Sequence, residues 1–434
     1  MMLFGSSGIR GIVNEKITPD LIQKIGITVG QENDEIIVGR DTRPTGDMVF
    51  SALVAGITST GADVKNAGMI PTPTLAHAAS DFDCGIMITA SHNPAPYSGI
   101  KLWNPDGSSF DTEQMKDIED RIDSETQLPS WEDIGTGNTY EDAIEEHIDE
   151  ILKFVESNLN LKVIVDCANG AGCLITPYVL KKMGCEVTTL NAQPDGTFPA
   201  HASEPVEENL TELSKLVKNS NADLGIAHDG DADRMVAFDR TGRYLGGDEL
   251  LALFTDMYSR SVVVPVNSSM VIDDLAEEVT RSKVGDVFVS EMVKKIDADF
   301  GGEPSGTWIF PEISYGPDGI YAAALLTELT EKIDLVREVN ELPSYPRNKE
   351  SIEVENKDKI MDKLITSYKE NYQEEKLNLI DGIRFEDERG WGLIRASGTE
   401  PKIRMTVETK DEDHLDILMQ KMKDDIKNSM GEIG

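Results

Sequence analysis

Three aspartates alternate with small residues in the segment HDGDADR, directly after a short apolar run. Carboxylates this close together repel one another unless a cation neutralises them, so Asp229, Asp231 and Asp233 are predicted to bind a divalent metal ion. A calcium EF-hand loop is excluded, because it needs glycine and glutamate where this chain has Arg234 and Arg240. Three carboxylates occupy half of an octahedral shell and leave room for water and a phosphoryl oxygen, which suits magnesium.

A second polar loop, TASHNP at residues 89–94, follows an apolar run that ends at Ile88. Open α/β sheets bind ligands beyond the carboxyl ends of their strands, so Ser91 is a candidate nucleophile or phosphate carrier. His92 and Asn93 can donate hydrogen bonds to an oxyanion. An ordinary Ser-Asn-Pro turn would explain this loop equally well if it stood alone. The lack of a Gly-x-Ser-x-Gly elbow argues against a hydrolase triad.

Two further glycine-containing loops, GGEPSGT and RASGTEPKIR, carry groups that suit a phosphorylated sugar. In the first, Glu303 and Ser305 can exchange hydrogen bonds with sugar hydroxyls or an amino group. In the second, Arg395 can bind a phosphate with two parallel hydrogen bonds. A nest of donors for a dianion is predicted around Ser397, Gly398 and Thr399. Each of these loops alone is also compatible with a simple turn between strands.

Short apolar runs and helical patterns alternate along the first three-quarters of the chain, and they must position these loops. Strands are predicted at 36–39, 85–88, 162–165 and 224–227, and a helix at 45–60. Strands separated by single helices need crossover connections, which predict a mostly parallel sheet and an α/β architecture. From about residue 348, the order strand, charged helix, strand, strand, helix predicts a small α+β domain.

Length and composition set the limits of the domain organisation. A chain of 434 residues exceeds what one hydrophobic core supports. Residues 111–160 hold 16 acidic and 3 basic side chains, which suggests a domain edge. Further boundaries are expected near Gly246-Gly247 and in the proline-containing segment 342–346. The predicted domains are 1–150 with the serine loop, 151–247 with the aspartate loop, 248–346 with the Glu303 loop, and 347–434 with the Arg395 loop.

The charge balance excludes a class of partners. The chain has 41 Lys and Arg against 79 Asp and Glu, a net charge of −38, whereas nucleic-acid binding needs a basic face. A few cations focused on one site can still bind a small phosphorylated molecule. The four cysteines lack metal-site or disulfide-scaffold spacing and are expected to be reduced. Because neither a signal peptide nor an apolar span is evident, no membrane partner and a cytoplasmic location are expected.

Taken in order, the four loops resemble the α-D-phosphohexomutase family over nearly the whole chain. Three further segments support the resemblance: GSSGIRG at 5–11, Gly99-Ile100-Lys101, and RSKVGD at 281–286. The resemblance implies four domains around a central cleft. Three would be related α/β domains with mainly parallel mixed sheets, and the fourth a smaller C-terminal α+β domain.

The resemblance also implies a reaction, the reversible transfer of a phosphoryl group between C6 and C1 of a hexose phosphate. Ser91 would carry the phosphoryl group as phosphoserine, and a sugar 1,6-bisphosphate would be both intermediate and activator. One Mg²⁺ per chain would be held by the phosphoryl oxygen at Ser91 together with Asp229, Asp231 and Asp233. Arg10, His92 and Lys101 would assist proton transfer or stabilise charge, with Lys101 the first choice for general acid/base. The residues implied to bind substrate are Arg234, Lys283, Glu303, Ser305, Arg395, Ser397, Gly398, Thr399 and Arg404.

Two departures from the family pattern bear on the sugar. Members that act on mannose or glucose phosphates often have His where this chain has Thr307, and often Asn where it has Gly398. The form Arg-x-Ser-Gly-Thr-Glu-Pro resembles the phosphoglucosamine mutase branch more, which favours glucosamine 6-phosphate and glucosamine 1-phosphate. Phosphomannomutase or phosphoglucomutase activity on the same scaffold is the alternative. A phosphatase and a non-catalytic sugar-phosphate binding protein remain as rivals, and the oligomeric state is open.

Overall fold

The computed structural model describes residue 5 and residues 8–124, 126–258, 260–398 and 400–431. The chain forms two compact units. The first comprises Met1–Leu250 and Gly285–Asn340, and the second comprises Leu251–Val284 and Glu341–Gly434. The limits of the four predicted domains stay a prediction.

The N-terminal part of the first unit is built on a six-stranded mixed sheet. Its strands are β1 (Ile9–Ile12), β2 (Glu35–Arg40), β3 (Asp63–Met69), β4 (Cys84–Ile88), β5 (Tyr97–Trp103) and β6 (Gly137–Thr139), and its helices are α1 (Pro19–Gly30), α2 (Gly46–Thr58), α3 (Thr72–Ala78) and α4 (Thr112–Arg121). The strand order is β1-β5-β4-β2-β3-β6. Strands β4, β2, β3 and β6 run parallel, whereas β5 is antiparallel to both neighbours. The strands predicted at 36–39 and 85–88 and the helix predicted after residue 45 are confirmed.

Helices α1 and α2 pack side by side on one face of this sheet. Proline at the first position of α1 and the hydroxyl of Thr18, which accepts from the Leu21 amide at 3.3 Å, start the first helix. The two helices bury a shared apolar stripe that includes Ile22, Ile25, Val29, Val49, Leu53 and Ile57, all with 0% exposure. Burial of each such side chain contributes roughly 1.5–3 kcal/mol, so this stripe anchors the sheet whose strand ends carry the site.

A second sheet follows in the first unit. Its elements are α5 (Ala143–Phe154), β7 (Lys162–Asp166), α6 (Thr176–Lys182), β8 (Glu186–Leu190), α7 (Thr211–Ser220), β9 (Leu224–His228), β10 (Met235–Asp239) and β11 (Tyr244–Leu245). The order is β11-β10-β9-β7-β8. Strands β8, β7 and β9 are parallel, while β9, β10 and β11 are successively antiparallel. The aspartate loop therefore joins two antiparallel strands, β9 and β10, at the edge of the sheet where the parallel strands β7 and β9 end.

Residues 247–341 contribute to both units. Their elements are α8 (Gly247–Met257), β12 (Ser261–Pro265), α9 (Val271–Leu275), β13 (Glu278–Ser282), α10 (Asp286–Ile296), β14 (Phe300–Glu303), β15 (Thr307–Ile309), α11 (Gly319–Lys332) and α12 (Leu335–Glu341). In the second unit, β12 and β13 pair in parallel. In the first unit, β14 and β15 form a hairpin whose turn includes Ser305. The turn consists of the residues between Glu303 and Thr307, which belong to the third predicted loop.

The C-terminal part of the second unit is an antiparallel sheet covered by helices. Its elements are β16 (Arg347–Glu353), α13 (Lys357–Asn371), β17 (Leu377–Asn378), β18 (Ile383–Asp387), β19 (Gly390–Ala396), β20 (Lys402–Thr409) and α14 (Glu412–Gly431). The order is β16-β20-β19-β18-β17. Apolar side chains of both helices and of the sheet form one core. The predicted α+β domain is confirmed.

Two predictions about the chain as a whole can be compared with the structure. All four cysteines are free and buried, as expected of reduced thiols. Over the described ranges, no helix has both the length and the apolar composition needed to cross a bilayer.

Candidate active site

The aspartate loop between β9 and β10 brings three carboxylates together. Asp229, Asp231 and Asp233 are 0%, 0% and 4% exposed, and each offers an oxygen such that these atoms lie within 4.8 Å of one another. A Cβ atom on Gly230 would lie 2.7 Å from the carbonyl oxygen of Ser91. The glycine thus permits the aspartate loop to approach the serine loop closely, and the predicted carboxylate cluster forms.

The serine loop connects β4 to β5 and places its hydroxyl on this cluster. Ser91 is 1% exposed, and its Oγ donates to Asp229 Oδ2 at 2.6 Å and lies 3.5 Å from Asp233 Oδ1. His92 Nδ1 is 3.3 Å from the same Oγ. The backbone of Ser91 has a φ of 49°, in the left-handed region that residues other than glycine rarely adopt. Two loops 138 residues apart in sequence therefore meet at one hydroxyl.

The donor set fits a hard divalent cation. Asp231 Oδ2 accepts from Thr72 Oγ1 at 2.5 Å, whereas Asp231 Oδ1 is buried and has no hydrogen-bond partner among the described residues. Burial, followed by the charges of Asp233 and Asp231, raises the pKa of Asp229 well above its ordinary value. Buried carboxylates that repel one another, with an oxygen unpartnered, match the oxygen-rich sites that bind Mg²⁺.

Lys101 supplies a buried positive charge beside the carboxylates. It lies on β5 opposite Met87 and is 3% exposed. Its Nζ donates to Asp233 and lies 3.3 Å from Asp231 Oδ2. Burial lowers the pKa of Lys101, but Asp231 and Asp233 outweigh this effect and hold that pKa above its ordinary value. The side chain is therefore a charged ammonium in this arrangement.

Arg10, His92 and Arg234 lie near the same cluster. The Nε of Arg10 is buried and has no hydrogen-bond partner within the described ranges. Arg234 follows the aspartate loop directly, and its amide donates to Asp229 Oδ1 at 3.3 Å. Burial, with the charges of Arg234 and Arg10, lowers the pKa of His92 to about 3, so its imidazole is neutral. The arrangement provides a neutral imidazole beside the Ser91 hydroxyl and two arginine side chains close enough to act on the charges of Asp229 and Asp231.

The β14–β15 hairpin places the third predicted loop next to the aspartate loop. The amide of Met235 donates to the carbonyl of Gly306 at 2.9 Å, immediately after Arg234. Glu303 is 7% exposed and accepts from the Gly285 amide at 2.7 Å and from Ser305 Oγ at 3.3 Å. Burial, followed by the charge of a nearby aspartate, raises the pKa of Glu303 to about 7. Near pH 7 the Glu303 carboxyl group is therefore present in both its ionised and its protonated form, so it can either accept or donate a hydrogen bond.

The fourth predicted loop lies in the second unit. Arg395, at the end of β19, pairs with Asp381 over 2.7 Å between Nη2 and Oδ2. Asp381 also accepts from the amide of Val284 at 3.0 Å, next to Lys283. The second unit therefore ties the Lys283 segment to Arg395 through a single carboxylate.

The turn after Arg395 is held by hydrogen bonds of its own. The Ser397 amide donates to the Lys402 carbonyl at 2.9 Å, and Ser397 Oγ accepts from the Glu400 amide at 3.3 Å. Nothing lies within 4 Å of a Cβ added at Gly398. Arg404 is 58% exposed and pairs with Glu400 at 2.8 Å, so its predicted role in substrate binding stays a prediction. Thr399 lies outside the described residues.

Several residues that organise the site were not predicted from the sequence. Asp41 and Arg43 follow β2, so the rule that located Ser91, polar residues at the carboxyl end of a strand, could have found them. Lys357, at the start of α13, donates to the carbonyls of Ser397 and Glu400 and supports the Arg395 turn. No local pattern indicates this residue, nor Thr72 and Asp381, because their partners are distant in sequence.

Models of protein families match the chain in four consecutive segments. Residues 1–129, 139–242 and 246–344 match the phosphoglucomutase/phosphomannomutase alpha/beta/alpha domains I, II and III. Residues 349–424 match the C-terminal domain of phosphoglucomutase/phosphomannomutase.

Full-length relatives agree with this assignment. A protein of Methanococcoides burtonii named "probable phosphoglucosamine mutase" is 50% identical over 419 residues, which cover 95% of this chain and 96% of that protein. The crystal structure of a phosphoglucomutase/phosphomannomutase family protein from Burkholderia thailandensis superposes with a TM-score of 0.88 at 27% identity, covering 99% and 97% of the two chains. At 15% identity, Aspergillus fumigatus N-acetylphosphoglucosamine mutase, solved with GlcNAc-6P and magnesium, shares the fold with a TM-score of 0.57, covering 99% and 96%.

The fold and the site together define an isomerase, an enzyme that relocates a phosphoryl group on a hexose phosphate. The chain belongs to the phosphoglucomutase/phosphomannomutase family. The resemblance, the fold class and the phosphohexomutase activity predicted from the sequence are thereby confirmed.

Proposed function

We propose that this phosphohexomutase interconverts glucosamine 6-phosphate and glucosamine 1-phosphate by way of a phosphorylated Ser91. The observation that carries the proposal is the buried Ser91 hydroxyl, 2.6 Å from Asp229 in a cluster of three carboxylates. The glucosamine specificity is supported by the name of the Methanococcoides relative and by the form of the Arg395 loop.

The proposed cycle has two phosphoryl transfers. In the first, a hydroxyl oxygen of the hexose phosphate attacks the phosphorus on Ser91, a P–O bond to the sugar forms, and the bond to Ser91 Oγ breaks. The proton of the attacking hydroxyl ends on the released Ser91 Oγ. The product is a sugar 1,6-bisphosphate. After the bisphosphate reorients, Ser91 Oγ attacks its other phosphate and the bond from that phosphorus to the sugar oxygen breaks. The Ser91 proton ends on the released sugar oxygen, so phosphoserine is restored and the isomeric monophosphate is released. Catalysis then consists mainly of positioning and electrostatic stabilisation.

Asp229, Asp231 and Asp233 would hold one Mg²⁺ together with an oxygen of the Ser91 phosphate. When bound, the ion would neutralise charge that develops on the transferring phosphoryl group. Lys101 would keep the second and third of these aspartates in place through its contacts with both. It is also the first choice for general acid/base, as the resemblance implies, because its protonated amine could donate a proton to a leaving oxygen.

Binding and orientation would fall to the remaining predicted residues. Arg10, His92 and Arg234 lie near the carboxylate cluster and would bind oxygens of the phosphoryl group. Glu303 and Ser305 would form hydrogen bonds with the sugar. A carboxyl group with a pKa of about 7 could accept from the ammonium group of glucosamine. The phosphate that does not react would be bound by Lys283, Arg395, Ser397, Gly398 and Thr399, with Arg404 nearby in sequence.

The test is a set of coupled assays on glucosamine, mannose and glucose phosphates, each with a trace of the matching 1,6-bisphosphate. The highest kcat/KM is expected for the glucosamine phosphates, and a clear preference for another sugar would contradict that specificity. Ser91→Ala should abolish turnover, whereas the matched variant Ser80→Ala, at an exposed serine, should not. Mass analysis of the Ser91 peptide should show one added phosphate after incubation with bisphosphate.

Two other results would overturn the proposal. Net phosphate release without a bisphosphate requirement would indicate a phosphatase. Binding of all three sugar phosphates without any turnover would indicate a binding protein.

A further inference from the structure

We propose that Arg43 is a positioning residue for phosphoryl transfer, because its guanidinium fixes the serine loop in the conformation that directs Ser91 Oγ to the aspartates. Arg43 lies just after β2 and does not touch the carboxylate cluster. The inference deepens the proposed function and rests on it in one respect, since it takes Ser91 as the group that carries phosphate.

Every N–H group of the guanidinium has an acceptor. Nη1 donates to the carbonyls of Pro94 and Tyr97, both at 2.9 Å. Nη2 donates to the carbonyls of Ser91 at 2.8 Å and Asn93 at 2.6 Å. The fifth N–H, on Nε, donates to Asp41 Oδ2 at 3.0 Å. Five donors in a rigid plane therefore match five acceptors: three carbonyls of the serine loop, the carbonyl of Tyr97 at the start of β5, and the Asp41 carboxylate. No other type of side chain carries this planar set of donors.

Asp41 links this cation to the strand side of the same loop. Its carboxylate accepts from Arg43 and lies 2.7 Å from Thr89 Oγ1. Thr89 Oγ1 in turn accepts from the Ser91 amide at 2.8 Å. Ser91 is thus fixed at its carbonyl by Arg43 and at its amide by Thr89, so the two backbone bonds that set its φ and ψ are both restrained.

This restraint matters because Ser91 occupies an unfavourable backbone conformation. A φ of 49° is disfavoured for any residue with a side chain, and such a conformation persists only where its surroundings over-determine it. Loss of the contacts to Arg43 would allow Ser91 to return to a common conformation. That rotation would turn Oγ away from Asp229.

Water is excluded from the guanidinium, which keeps the geometry fixed. The Arg43 side chain is 0% exposed, and its Cζ lies 5.2 Å from the centroid of the Phe198 ring. A Cβ atom on Gly196 would lie 2.3 Å from Arg43 Cα, so the loop that carries Phe198 packs directly on this residue. Water therefore has no access to the guanidinium and does not compete for its five hydrogen-bond acceptors.

A positioning role predicts a specific kinetic change. Arg43 contacts none of the residues proposed to bind the sugar or its second phosphate, so ground-state binding should change little. Misplacement of a reacting group by about 1 Å can reduce a rate by about 100-fold. We therefore expect Arg43→Lys to lower kcat by roughly 100-fold, with KM for the sugar phosphate within about 3-fold of wild type.

The experiment measures steady-state kinetics of the full chain, together with the rate at which the sugar 1,6-bisphosphate phosphorylates Ser91, followed by mass. Rates are expressed per folded molecule. Arg240→Lys is the matched control, because Arg240 makes a two-bond contact with Asp334 at the surface and is 51% exposed. The labelling rate should fall in Arg43→Lys and remain normal in Arg240→Lys.

Asp41→Asn is the second variant, because Arg43→Lys could fail to fold. It preserves the shape of the carboxylate while removing its charge, and a smaller fall in kcat with unchanged KM is expected. Unchanged kcat in either folded variant would overturn the proposal, as would a loss that disappears once rates are corrected for the folded fraction. Ser91→Ala is assayed in parallel: retained turnover there would overturn the proposed function itself, whereas inactive Ser91→Ala beside normal Arg43→Lys would overturn only this inference.

Discussion

Thr72 donates its hydroxyl to Asp231 Oδ2 over 2.5 Å, although 159 positions separate the two residues in sequence. The amide of Thr72 also donates to the carbonyl of Asp231 at 2.9 Å. The first residue of α3 therefore fixes both the backbone and the side chain of the central aspartate. Because Oδ2 is held in this way and Oδ1 has no hydrogen-bond partner among the described residues, Oδ1 is the oxygen of Asp231 that we propose binds the cation.

The first prediction concerns this contact. Thr72→Val retains the shape of the side chain but removes the hydroxyl that orients Asp231. Groups that orient metal ligands typically contribute 10–100-fold to affinity or activity, and we expect a loss in that range. The measurement is the Mg²⁺ concentration that gives half-maximal turnover. Thr28→Val is the control, since Thr28 is buried and bonds only within its own helix; an equal shift in both variants would contradict the role of Thr72.

The second prediction concerns Asp231 itself. Asp231→Asn removes a charge that neutralises Lys101 and would bind the cation. Turnover and apparent Mg²⁺ affinity should fall together, each by at least about 10-fold. Titration of activity against Mg²⁺ measures both. Asp334→Asn, at an exposed aspartate that pairs with Arg240, serves as control, and an unchanged Mg²⁺ titration in Asp231→Asn would remove this residue from the metal site.

The third prediction concerns the carboxylate that orients Arg395. Asp381→Asn weakens the contact with Arg395 and leaves the amide of Val284 with a poorer acceptor. KM should rise several-fold for glucosamine, mannose and glucose phosphates alike, with a larger rise in Arg395→Ala. Asp411→Asn, at the surface of the same unit, is the matched control. A rise in KM confined to one sugar phosphate would show that Arg395 contacts the sugar rather than a phosphate.

The fourth prediction is a pH dependence of stability that does not involve the carboxylate cluster. His201 Nε2 lies 3.3 Å from both carboxylate oxygens of Asp166, and Nδ1 lies 2.8 Å from the Ala202 carbonyl. The hydrogen bond to Asp166, with the Ala202 carbonyl, raises the pKa of His201 above its ordinary value. Because the folded-state pKa is raised, the stabilisation is fully present below about pH 6.5 and is lost as pH rises through the folded-state value.

Thermal unfolding of wild type and His201→Gln tests this prediction. The difference in Tm should be largest near pH 5.5 and should shrink toward pH 9. These values avoid the range in which carboxylates with ordinary pKa values titrate. Glu303, whose pKa is raised to about 7, is present in both proteins, so its titration cancels in the difference. A difference that stays constant over this range, or grows with pH, would contradict a stabilising protonated His201.

The sequence predicts the positions of the main strands because fully buried strands appear as apolar runs bounded by polar loops. It predicts the aspartate cluster because all three carboxylates lie in one loop. The direction of β10 was also available from the spacing: the six residues from Asp229 to Arg234 are too few for a crossover, so the next strand must be antiparallel.

Other features could not be predicted, for a physical reason. The place of Arg43 after β2 could have marked it as a candidate, but its contacts could not be predicted, because it binds carbonyl oxygens and these have no sequence signature. Thr72 and Asp381 act on partners that only the folded chain brings close, and a single threonine or aspartate has many possible partners. Sequence patterns therefore predict the residues of the site that act together in one loop. The residues that hold these loops in position are identified only from the three-dimensional structure.

The left-handed backbone of Ser91 restricts which alcohol side chain can serve at this position. Threonine carries the same hydroxyl, but its branched Cβ makes a positive φ a far rarer conformation than it is for serine. Conformational strain at such positions is of the order of 1–3 kcal/mol, and a methyl branch adds to it. An enzyme with Ser91→Thr would retain a chemically competent oxygen but would present it from a distorted loop. Conservative exchange of the proposed nucleophile is therefore disfavoured by backbone geometry and not by reactivity.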